Sequence, residues 1–153
     1  MIDIAPALLK QIADAAEAAY PHECCGLLAG QPSNAGLRVT RVIASTNVAA
    51  SNHVDSFEVD PQVRFDLMRE LGEIGDGPTG DERLIGHYHS HPDHPAEPSA
   101  RDLEKAFEPD LVWIIAAVHK GVVGDITAHR LDAAENTFRT LPLRSTNDRN
   151  QQP

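Results

Sequence analysis

Leu8, Ile12, Ala15 and Ala19 recur at helical spacing, so residues 4–20 are expected to form an amphipathic helix that Pro21 helps to end. The short apolar run 24–28 fits a buried strand, closed by Gly30 and the turn chemistry of residues 32–36. Residues 38–45 alternate through Val39, Val42 and Ile43 and predict a second strand. Residues 49–55 are polar and loop-like, and residues 57–59 predict a short strand. Asp60 is a candidate N-cap and Pro61 opens a helix whose buried face is Val63, Leu67 and Leu71, extended by Ile74. A glycine-rich loop covers 75–81, residues 83–91 form a strand, and the proline-rich stretch 92–98 is irregular. Ser99 starts a third helix with Leu103, Ala106 and Phe107 on one side. Strands are then expected at 111–118, 125–131 and 138–143, with a turn at 120–124. The polar tail from 144 to 153 is expected to be disordered.

This irregular alternation predicts an α/β (mixed α+β) fold, with a mixed sheet covered by helices. A chain of 153 residues fits one domain, taken as residues 1–143. No apolar run approaches the roughly 20 residues of a spanning helix, and no basic-then-apolar leader opens the chain. A cytoplasmic protein is expected, with no membrane partner. The formal net charge of −10 disfavours nucleic acid, which needs clustered Lys and Arg. The adjacent Cys24 and Cys25 cannot easily meet disulfide geometry and are read as small buried residues at the start of a strand.

Candidate chemistry is concentrated in His87-Tyr88-His89-Ser90-His91 and in Ser99-Ala100-Arg101-Asp102. In an extended strand His89 and His91 point to one side, close enough to share a metal ion, with His87 a repeat further back. Catalytic zinc takes about three nitrogen or oxygen ligands and leaves one position open. Asp102, a turn into the following helix and on the same face as Ser99, is the candidate third ligand. Taken alone, Ser-x-x-Asp reads first as a capping box. A hydrolase also needs a general base, and Glu23 stands beside the strand at 24–28; on residue pattern alone an exposed loop carboxylate is the plainer account of it.

Glu23, then His89-x-His91, seven residues, Ser99, two more and Asp102 match the motif of the JAMM/MPN-domain zinc metallopeptidases. The segments Pro21 to Leu28 and Gly86 to Pro92 also resemble that family, in its short, stand-alone prokaryotic branch. The resemblance implies a mixed sheet flanked by helices, similar to cytidine deaminases. It implies one Zn2+ per chain on His89, His91 and Asp102, with Glu23 moving the proton and Ser99 bonding the oxyanion. It further implies cleavage of a peptide or isopeptide bond after the C-terminal glycine of a ubiquitin-like or sulfur-carrier protein. A Gly-Gly tail would lie in a narrow groove, walled by the loops at 49–55 and 75–81 and held by strand addition at an open edge.

Four rival readings are weighed. A non-catalytic MPN scaffold usually lacks the ligands, and all are present here. A zinc deaminase needs His-x-Glu and Pro-Cys-x-x-Cys, and a helical zincin needs His-Glu-x-x-His; none occurs. A structural zinc site would need a fourth protein ligand, such as His87 or His94.

Overall fold

The computed structural model of the chain describes residues 1–50, 53–71 and 81–146. Its elements run β1 Ile2–Ile4, α1 Pro6–Ala19, β2 Cys25–Ser33, β3 Gly36–Ser45, α2 Pro61–Leu71, β4 Arg83–Pro92, α3 Ala100–Lys105, β5 Val112–His119, β6 Val122–Asp132, β7 Thr137–Leu141 and β8 Leu143–Ser145. The strands make one sheet of eight in the order β7-β6-β5-β4-β2-β3-β1-β8, mixed in direction and flanked by helices, as expected.

Proline at the start of α1 loses no intrahelical bond, because the first N–H groups of a helix have no partner anyway. The helix turns Ile12 and Ala16 onto the sheet. There they join Leu28, Tyr88, Ile114, Val118 and Ala128 in the main core. Strand alternation sends the neighbouring residues to the opposite face. On that face Leu27 and Ala29 pack against Leu67 and Leu71 of α2, and Cys25 packs with Phe57 and Trp113.

β4 lies in the middle of the sheet. It is antiparallel to β2, with Leu27 opposite His87 and Cys25 opposite His89. It is parallel to β5, with Trp113 beside His87 and Ile115 beside His89. Glycine is required at its fourth position, because a Cβ on Gly86 would run into the backbone of Val112. A Cβ on Gly26 would strike the Tyr88 ring and the Ile43 carbonyl, so that glycine makes room for the buried tyrosine.

The structure departs from expectation in several places. Ile4 belongs to β1, not to the first helix. β1 is parallel to both β3 and β8, and Asp3, though buried, receives Arg144 from β8 at 2.9 and 3.2 Å. Arg144 and Ser145, assigned to the tail, are therefore part of the sheet. The remainder of that tail, 147–153, lies outside the described residues, as do Ile74 and most of the loop 75–81. Residues 57–59 contribute one isolated bridge, Val59 to Asn47, instead of a strand. α3 stops at Lys105, so Phe107 leaves the helix and is 83% exposed, instead of lying on one side of it with Leu103 and Ala106. Among the described strands β2 and β5 flank β4, and the open edges of the sheet are β7 and β8.

Candidate metal centre

His87, His89 and His91 share the face of β4 opposite the α1 core, and only the last two converge. Their Nε2 atoms stand 3.0 Å apart. Asp102 meets both, with Oδ1 at 3.3 Å from His89 Nε2 and Oδ2 at 3.1 Å from His91 Nε2. All three side chains are buried. A tetrahedral ion with bonds of about 2.0–2.1 Å separates its ligands by roughly 3.3 Å, so the donor types and their spacing fit zinc.

Each donor is held by its surroundings. His91 Nδ1 donates to the carbonyl of Pro95 at 2.8 Å, which orients the ring and directs Nε2 at the centre. His89 stacks on Phe57 with ring centroids 4.2 Å apart at 15°, and its Nδ1 is buried without a partner. Asp102 N–H donates to Ser99 Oγ at 3.1 Å, and Ser99 N–H donates to Asp102 Oδ2 at 2.8 Å. The capping box and the candidate ligand are thus the same carboxylate.

Glu23 is 4% exposed, which corrects its reading as an exposed loop carboxylate. Its N–H donates to His53 O at 2.6 Å, and its carbonyl accepts from Asn47 Nδ2 at 3.2 Å. One donor atom from each of Glu23, His89 and His91 lies within 4.8 Å of the other two. Asp102 stands closer to both imidazoles, so it completes the tighter set and Glu23 faces that set. Glu23 Oε2 is buried with no hydrogen-bond partner.

Burial pushes the Glu23 carboxyl up to about 8; the charge of His91 works against the shift, and Asp102 and Asp55 reinforce it. Burial also acts to raise Asp102, but hydrogen bonds with His89 and His91 outweigh it and hold the carboxyl far below the ordinary range. Burial lowers His89. In His91 the same penalty is overruled by Asp102 and the Pro95 carbonyl, and the ring is raised.

His87 packs in an aromatic cluster, 4.2 Å from the Trp113 ring and 6.4 Å from the His89 ring, and burial pushes it down to about 3. It does not converge with the other donors. His94 is exposed on the rim of the cleft, so neither histidine closes a four-protein-ligand site. The cleft is about 340 Å³ and is lined by Glu23, Asp55, His91, Pro95, Ser99 and Arg101. A larger cavity of about 480 Å³ lies behind Phe57, beside His87, Trp113 and Phe107, and holds none of the converging donors. Cys24 is half-buried and Cys25 buried, and both thiols are free.

Residues 5–132 match the family described as prokaryotic homologs of the JAB domain. The chain belongs to this family. The desampylase of Haloferax volcanii is 32% identical to it over 141 residues, covering 92% of this chain and 91% of that protein. The solution structure of a protein from Desulfitobacterium hafniense shares the JAB fold, with a TM-score of 0.77 at 24% identity over 100% of this chain and 99% of that one. A structure presented as JAMM, a metalloprotease-like zinc site in the proteasome and signalosome, shares it with a TM-score of 0.56 at 18% identity, covering 96% and 99% of the two chains.

The sequence did not point to Phe57, Asn47 or the Pro95 carbonyl as supports of the site. The stretch 92–98 was legible only as proline-rich and irregular.

Proposed function

We propose that this chain is a zinc-dependent hydrolase that cuts a peptide or isopeptide bond after the C-terminal glycine of a ubiquitin-like or sulfur-carrier protein. The observation that carries the reading is the convergence of His89, His91 and Asp102 at 3.0–3.3 Å, with Glu23, whose Oε2 is buried without a partner, facing them across an open cleft. Kinship with the Haloferax volcanii desampylase supports a ubiquitin-like modifier as the substrate class. No observation favours a scaffold role, because every side chain of the constellation is present and assembled.

In this reading His89, His91 and Asp102 hold one ion, and Glu23 remains free. When bound, the ion supplies Lewis acidity, which acidifies water and polarises the scissile carbonyl. Glu23 accepts a proton from the attacking water at Oε2 and delivers it to the leaving amine. Burial gives the carboxylate the proton affinity the second transfer needs, and nearby positive charge tempers it for the first. Ser99 Oγ already accepts from the Asp102 N–H, so its own O–H is free to donate to the developing oxyanion. The prolines at 92, 95 and 98 and the Val54–Asp55 wall narrow the cleft, which favours a glycine tail that brings backbone close to the centre.

The test is zinc per chain, on protein without a polyhistidine tag, beside a His89→Ala, His91→Ala double variant. About one zinc in the wild type and none in the variant supports the site. Hydrolysis of a modifier conjugate that chelation abolishes and zinc restores supports the activity. No zinc in the wild type after reloading overturns the reading.

A further inference from the structure

β6 carries two polar side chains on the site face that the mechanism above does not use. Thr127 sits beside Ile115, and His129 beside Trp113. Ile115 and Trp113 in turn neighbour His89 and His87. Partners across adjacent strands share a face, so Thr127 and His129 look toward the candidate metal centre.

Their hydrogen bonds form a directed chain. Thr127 Oγ1 donates to the carbonyl of Ala96 at 2.6 Å. A hydroxyl has one hydrogen, and this bond uses it. The 2.8 Å contact between Thr127 Oγ1 and His129 Nε2 must therefore run the other way, with His129 Nε2–H as donor. Both His129 and Ala96 are buried, so what the Thr127 hydroxyl supplies cannot be replaced from solvent, and the His129 ring also meets the Ala96 carbonyl. One residue before Ala96, the Pro95 carbonyl accepts from His91 Nδ1.

We infer that Thr127 and His129 are positioning residues: the bonds His129 to Thr127 to Ala96 pin the 93–98 loop, and the loop sets the orientation of His91. The inference rests on the metallopeptidase reading only for the role of His91 as a ligand. The loop has no strand or helix of its own to fix it. Asp93 has a positive φ of 57°, and residues 93–95 are exposed. At its start Asp93 is tied to Tyr20 at 2.7 Å and to the Lys120 N–H at 3.0 Å. At its end Ser99 enters the capping box. Between these ends Ala96 is the held point on the buried side, its carbonyl accepting from Thr127 and meeting the His129 ring as well. Supports of this kind hold a ligating imidazole in the ring orientation and tautomer the metal needs, and their loss typically weakens metal binding 10–100-fold.

The experiment compares wild type, Thr127→Val and Thr127→Ser. Thr127→Val keeps the shape and removes the hydroxyl; Thr127→Ser keeps the hydroxyl. Two readouts are taken: zinc affinity by chelator competition, and the His91 Nδ1–H resonance with its solvent exchange rate in metal-free protein. Thr127→Val is expected to bind zinc about 10–100-fold more weakly and to lose or speed the exchange of the His91 proton, with Thr127→Ser close to wild type. A purely structural role predicts a lower melting temperature with zinc affinity and the His91 proton unchanged, and that result overturns the inference. A loss in Thr127→Ser with Thr127→Val close to wild type also overturns it, because valine keeps the methyl group that serine lacks. If wild type binds no zinc, the metallopeptidase reading falls, and the His91 proton still decides whether the anchor exists.

Discussion

The two faces of β4 are built from adjacent residues and do opposite work. Tyr88 points into the α1 core, among the apolar side chains of Leu28, Ile114, Val118 and Ala128. His87, His89 and His91 point the other way, toward a face where buried polar atoms of Glu23, His87 and His89 have no partner. Unpaired polar atoms cost stability, so the site face must be held by the rest of the fold. One face supplies the free energy that keeps the other in place, which is how a marginally stable protein carries a strained polar cluster.

This comparison can be broken by mutation, and the largest effect is expected at Glu23. Glu23→Gln keeps the shape and the main-chain bonds, and is expected to lower hydrolysis by about 10²–10⁴-fold with zinc content unchanged. Near-normal turnover in steady-state assays would remove Glu23 from the mechanism. Ser99→Ala separates two duties at once. Loss of the oxyanion donor is expected to reduce kcat by about 10²-fold or more, and loss of the cap to cost ~1 kcal/mol by denaturant titration. A stability loss without a rate loss would leave Ser99 as a cap only.

The α1 face should respond in the reverse sense. Ile114→Ala is expected to cost ~2–5 kcal/mol of stability, with zinc stoichiometry unchanged in the folded fraction. Loss of zinc from protein that remains folded by circular dichroism would show that the two faces are not separable. The smallest effect is expected at Phe107, beyond the end of α3. Phe107→Ala should stay within about 0.5 kcal/mol of wild type, and a larger loss would place the ring in a core it does not visibly join.

The same division explains what could be read before the fold was seen. The alternation His87 to His91 is local, and period two alone places His89 and His91 together. The Ser99–Asp102 pair is also local, within one helical turn. Glu23 required the family resemblance, because nothing in its own segment signals burial. Its main chain is held by His53 and Asn47, which are far along the chain. β1 was missed because three residues are too few for alternation to show, and its charge at Asp3 is answered by Arg144 at the other end of the sequence. Thr127 and His129 look like ordinary strand alternation; only the register of β6 against β5 and β4 brings them to the centre.

The capping box that shares its carboxylate with the two imidazoles narrows what position 102 can accept. A residue with one duty tolerates partial substitutes. Glutamate closes capping boxes readily, but its extra methylene would carry the carboxylate past the histidines. Asparagine has the right length and could still bond the Ser99 amide, yet it brings no negative charge to the site. In a saturation library selected for folded and active protein, each requirement removes a different set of survivors, and aspartate is the residue left in both.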